Sequence, residues 1–220
     1  MEQFFEYIGK MLSLMGEGIG NSLLIFAMTL LFSLPLGLFV SFGRMSKYKI
    51  VSMLVKFYIS VMRGTPLMLQ IIVIYFCPYY LFGVSVAEDA RFPIILAFVL
   101  NYAAYFAEIY RGGIESISKG QYEAAGVLGL SKPRTFMRIV LPQVIKRILP
   151  SVTNEIITLV KDTSLAQILL TEEMFSLAKI IAAKETSIAP LLVAGLFYYI
   201  FNLLIAFVMG RVEKKLNYYQ

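Results

Sequence analysis

Five long apolar stretches separated by polar connections set the pattern of this chain: about Ile19 to Phe42, Ile50 to Phe82, Phe92 to Tyr110, Ile148 to Leu170 and Ile188 to Met209. Each is near or above the roughly 20 residues that a helix needs to cross the hydrocarbon core of a bilayer, so each reads as a transmembrane helix. The second is too long for one straight helix, and Arg63-Gly64-Thr65-Pro66 falls near its middle. Proline disfavours helical geometry at the residue before it, so the helix should bend or break there. Such breaks are tolerated at membrane depth where the freed backbone groups line a cavity or are buried in protein. The segment before the first span carries Glu2, Glu6, Lys10 and Glu17. It is neither a signal peptide with a basic start nor a clean apolar anchor, and it is expected to lie along the outer surface. The pattern predicts an all-α integral membrane protein, residues 1–220 forming one domain with five transmembrane helices.

The polar stretch between the third and fourth spans predicts a short helix of its own over roughly Lys119 to Leu128. Ser118 and Gln121 have the spacing of a capping box, Ala124 and Ala125 are strong helix formers, and Gly129 can take the left-handed conformation that closes a helix. Tyr122, Ala125 and Leu128 fall on one face. A small apolar face outside the bilayer suits docking into a groove of another protein; an interfacial helix stabilised by lipid is the alternative.

Composition strengthens the membrane reading. Of 220 residues, 59% are hydrophobic and 15% charged, with mean hydropathy +0.75, against roughly 45–50% and 25% in soluble domains. One cysteine, Cys77, and no histidine argue against disulfides, thiolate clusters and imidazole ligation, and no metal site is expected. The net charge of +6 does not point to nucleic acid, because the basic residues sit beside apolar spans. Fourteen of the 20 basic residues fall after the first span, after the third span and at the C-terminus. The alternate connections are acidic or balanced, with Glu88, Asp89 and Arg91 in one and Glu172, Glu173, Lys179, Lys184 and Glu185 in the other. The positive-inside rule then places the N-terminus outside and the C-terminus in the cytoplasm.

Polar residues within the spans are the candidate chemistry, because ionisable groups at this depth are costly and usually face a bundle interior or a wet cavity. Arg63 at the break wants a carboxylate, a carbonyl or water. Glu108 and Arg111, three apart at the end of the third span, can neutralise one another. Asn101 near mid-bilayer either joins helices or lines a pathway. The fourth span carries Asn154, Glu155, Thr158, Lys161, Asp162, Thr163 and Ser164. Glu155, Thr158 and Asp162 lie on nearly one face, with Asn154, Thr158 and Lys161 on an adjoining stripe. A zwitterionic solute could satisfy that surface, its ammonium on a carboxylate and its carboxylate near Lys161 or the Thr163 and Ser164 hydroxyls. An internal structural network is the alternative.

Several motifs resemble a known family. Glu123-Ala124-Ala125, then Gly129, then Ile139 and Leu141-Pro142 resemble the cytoplasmic loop of ABC importer membrane subunits. Arg63-Gly64-Thr65-Pro66-Leu67, Glu108-Ile109-Tyr110-Arg111-Gly112-Gly113 and Lys161-Asp162-Thr163-Ser164-Leu165 resemble the permeases for polar amino acids. The resemblance implies a permease of the prokaryotic cell membrane that pairs with a second copy or a homologue and receives solute from an extracytoplasmic amino acid binding protein. It also implies that a coupling helix over residues 119–129, with Glu123, Ala124, Ala125 and Gly129, docks onto two ATPase subunits. ATP and Mg would be held there and no cofactor by this chain, which has no G-x-x-x-x-G-K-[ST] phosphate loop. Surplus carboxylate charge on the fourth span favours basic amino acids over glutamine or another neutral or acidic one. A secondary transporter would use a broken helix similarly, but the chain shows no internal repeat. An intramembrane enzyme would need a pair such as Ser164 with Lys161.

Overall fold

The computed structural model describes residues 2–84, 89–169 and 171–216; Glu88 and the predicted end of the fourth span at Leu170 lie outside them. The described residues form ten α-helices: α1 (Glu2–Leu14), α2 (Gly16–Arg44), α3 (Lys49–Gly64), α4 (Leu67–Phe82), α5 (Arg91–Glu115), α6 (Lys119–Val127), α7 (Lys132–Thr135), α8 (Leu141–Asp162), α9 (Met174–Glu185) and α10 (Ala189–Leu216). A π-helical turn (Phe136–Val140) leads into α8, and a 3₁₀ segment (Thr163–Leu169) follows it.

Three helices, α2, α5 and α10, are long and apolar enough to cross a membrane, and the α3–α4 pair makes a fourth if it counts as one crossing. The predicted second span is two helices meeting at 113°, a break sharper than a proline kink. Thr65 is extended (φ −121°, ψ 150°) ahead of Pro66, as the proline ring requires. The predicted fourth span is also displaced. α8 begins at Leu141, where Pro142 suits the first helical turn, and ends at Asp162. There the Thr163 and Ser164 hydroxyls donate to the carbonyls of Val160 and Lys161, both at 2.8 Å, and the chain tightens into 3₁₀ geometry.

α5 is the axis of the bundle. Phe98, Tyr102 and Phe106 are buried in a core with Ile25 and Phe26 of α2, Ile71 of α4, and Ile156 and Leu159 of α8. α2 approaches it through small residues, with Ser22, Thr29, Ser33, Gly37 and Ser41 on its buried face, the pattern that lets membrane helices pack closely. A Cβ on Gly37 would lie 2.8 Å from Phe106 Cβ and 3.1 Å from the Ala103 carbonyl. At the end where α2 and α5 begin, α1 packs through Met11 into a cluster with Met174 and Ala178 of α9 and Val193 of α10.

Candidate functional site

The α3–α4 break is braced rather than open. Gln70, one turn into α4, donates from Nε2 to the Met62 carbonyl (2.9 Å) and to the Thr65 carbonyl (3.1 Å) and hydroxyl (2.8 Å). Asn101 of α5 donates to the Met62 carbonyl and to Gln70 Oε1, both at 2.9 Å. Both amides are buried. The sequence left Asn101 between joining helices and lining a pathway; its side chain joins α5 to the break, and the residue also borders a cavity between the break, α5 and α8. Gln70 was missed, although an amide between Leu69 and Ile71 in an apolar run was the signal.

Arg63, at the end of α3, lies over the Tyr105 ring at 5.1 Å and reaches Glu108 at 4.0 Å. Glu108 is held by Arg111 at 2.6 Å, and Arg111 also meets Glu115 at 2.5 Å. The expected Glu108–Arg111 pair is formed, within a chain of alternating charges that also neutralises Arg63.

A cavity of about 390 Å³ opens where the break, α5 and α8 meet, within the range of small-molecule sites. Thr65 and Pro66 border it from the break, Asn101, Tyr102 and Tyr105 from α5, and Glu155, Thr158 and Asp162 from α8. Tyr102 donates to Asp162 Oδ2 at 2.7 Å. The structure thus brings together six of the predicted residues from three parts of the chain, and adds Tyr102 and Tyr105. Tyr105 had no sequence signal, since an aromatic in an apolar helix reads as core.

Other predicted residues stand apart from the lining. Asn154 and Lys161 are exposed, because a stripe next to the cavity face turns outward. The Thr163 and Ser164 hydroxyls are engaged by the carbonyls three residues back rather than offered to a solute. Arg63 and Gly64 do not border the cavity, although the charge of Arg63 reaches Glu155. Among the described residues, no three acidic or thiol side chains are grouped as a metal site.

α6 projects beyond the bundle. Its cap differs from the predicted box: the Ser118 hydroxyl accepts from the Gly120 amide at 3.2 Å, and Gln121 Oε1 faces Gln143 at 3.5 Å. Gly129 takes a left-handed conformation (φ +69°). Its amide bonds to the Gly126 carbonyl, and Leu130 N bonds to the Ala125 carbonyl, both at 3.0 Å, which is the Schellman closure. Of the predicted face, Ala125 is turned inward at 1% exposure, whereas Tyr122 and Leu128 are exposed, as is Val127 beside them at 90%. The presented apolar surface therefore keeps Tyr122 and Leu128 of the predicted face, loses Ala125 to the interior and gains Val127. Arg147 bonds to the Ser116 carbonyl and hydroxyl, fixing the start of α8 to the root of this loop.

The family model for the binding-protein-dependent transport system inner membrane component matches residues 33–218. The chain is 34% identical to the putative glutamine transport system permease protein of Rickettsia bellii, covering 96% of this chain and 98% of that one. It is 37% identical to the arginine transport system permease protein of Bacillus subtilis, covering 91% of each. A crystal structure described as an amino acid ABC transporter with histidines superposes with a TM-score of 0.86 at 28% identity, covering 96% of this chain and 98% of that one. ATP hydrolysis accordingly belongs to separate subunits. The chain belongs to the family of binding-protein-dependent transport system inner membrane components, as a permease subunit of an ABC importer and not an enzyme.

Proposed function

We propose that this chain forms half of the translocation pathway of an ATP-driven importer of polar amino acids, with basic side chains preferred. The observation that carries the reading is the cavity in which Glu155 and Asp162 face Asn101, Thr158 and two tyrosine rings with no lysine or arginine among the residues that border it. Two carboxylates exceed what one α-ammonium group neutralises, so the surplus favours a solute with a second cation. Relatives named for arginine and glutamine transport support the substrate class. Glutamine or another neutral polar amino acid is the second reading, favoured by Arg63, whose charge reaches Glu155.

In this reading the chain makes five crossings, with the N-terminus outside and the C-terminus in the cytoplasm. α8 is the fourth crossing in chain order, its charges tolerated because they face the bundle and the cavity. α6 through Gly129 is the coupling helix, offering Glu123, Ala124, Val127 and Leu128 to one of two ATPase subunits that hold ATP and Mg. A second permease copy or homologue completes the pathway, and an extracytoplasmic binding protein delivers the solute. The test is Glu155→Gln, which keeps size and hydrogen bonding but removes one charge. In liposomes with the binding protein saturated, the ratio of arginine to glutamine uptake should fall; an unchanged ratio rejects charge selection at this cavity.

A further inference from the structure

Between α2 and α5 an apolar groove runs into a polar recess, and we propose that the two together bind one zwitterionic aminophospholipid, its acyl chains in the groove and its phosphate and ammonium groups in the recess. The groove has a volume of about 740 Å³, walled by Leu24, Met28 and Phe32 of α2 and by Ile95, Leu96 and Val99 of α5. From Leu24 to Leu36 it follows α2 for ~18 Å at the helical rise, close to one leaflet of a ~30 Å hydrocarbon core.

One end of the groove is formed by Asp89 and Arg91, and the same two residues border a recess of about 350 Å³ with Glu17, Asn21 and Glu172. Apolar channel and polar cup are therefore continuous. The Arg91 guanidinium meets Asp89 through Nε, at 2.9 and 3.0 Å, which leaves its two terminal nitrogens for a phosphate, the group that guanidinium matches best. That contact also holds the Asp89 carboxyl below the usual carboxylate range. Glu17, Asp89 and Glu172 outnumber the one guanidinium, so the cup calls for a cation beside the anion. A lipid with phosphate and primary ammonium on one headgroup supplies both; an anionic glycerol headgroup supplies only the first.

The test uses the importer purified with its ATPase subunits and exchanged through nanodiscs of equal phosphatidylethanolamine and phosphatidylglycerol. Native mass spectrometry then counts the lipids that remain on the permease in detergent. The expected result is one phosphatidylethanolamine per permease, enriched about fivefold over phosphatidylglycerol, the discrimination that one modest charge contact gives. Arg91→Gln should lower retention of both lipids, the Glu17→Gln/Glu172→Gln double variant should bring the ratio to parity, and Leu96→Trp, which fills the groove from an exposed wall, should remove retained lipid of both kinds. Retention in the bulk ratio by the unaltered protein, or a Glu17→Gln/Glu172→Gln variant that keeps the enrichment, would overturn the proposal. Crosslinking of Phe32→Cys to the second permease copy, with no lipid retained, would assign the groove to protein and overturn it as well.

Discussion

Replacing Gln70 by Met and Asn101 by Leu removes the two amides that brace the α3–α4 break while keeping side-chain volume close to the original. Asn101→Leu deletes two hydrogen bonds of 2.9 Å, one to the Met62 carbonyl and one to Gln70 Oε1. Polar contacts between membrane helices average about 0.6 kcal/mol and reach about 1.7, so the loss should be roughly 1–2 kcal/mol. Gln70→Met frees the Thr65 carbonyl but leaves Met62 O with its Asn101 partner, and should cost about the same. Because the residues bond to each other and share the Met62 carbonyl, the double variant should lose less than the sum. A coupling energy of about 0.5 kcal/mol or more is expected for residues in one network. Reversible unfolding of the purified permease in mixed micelles measures each corner of the cycle. Strict additivity would refute the brace and leave the break to the backbone preferences of Thr65 and Pro66.

Gly129→Val places a β-branched residue at φ +69°, at a cost of at least about 1 kcal/mol in the left-handed region. It should lower solute-stimulated ATP hydrolysis and uptake while thermal stability of the spans holds; unaltered stimulation would detach α6 from coupling. Gly37→Val should destabilise the permease by about 1–3 kcal/mol by forcing α2 from α5, because the added Cβ meets Phe106 Cβ at 2.8 Å. A thermal melt matching that of the unaltered protein would contradict so close an approach.

The helical class, the break at Thr65-Pro66 and the left-handed Gly129 were legible because proline and glycine constrain the backbone whatever surrounds them. The face of α8 was also legible, since Glu155, Thr158 and Asp162 share a helical side by geometry alone. Where α8 begins and ends was not. Hydropathy marks the apolar run from Ile148, but the helix starts at Leu141 and stops where two hydroxyls turn back onto carbonyls. The sharpness of the α3–α4 turn depends on Gln70 and Asn101, 31 residues apart in sequence, and their pairing exists only in the fold. Tyr105 entered the cavity unannounced, and Thr163, Ser164 and Lys161 left it, because single residues do not reveal which hydroxyls turn back onto their own helix.

Uptake by the complete importer in liposomes tests the central claim most directly. The permease, its ATPase subunits and the binding protein are reconstituted with labelled arginine outside and ATP inside. Accumulation should require both ATP and the ATPase subunits, should exceed that of glutamine at saturating binding protein, and should fall when Glu155 or Asp162 is neutralised. Accumulation by the permease alone, driven by an ion gradient and indifferent to ATP, would contradict the account.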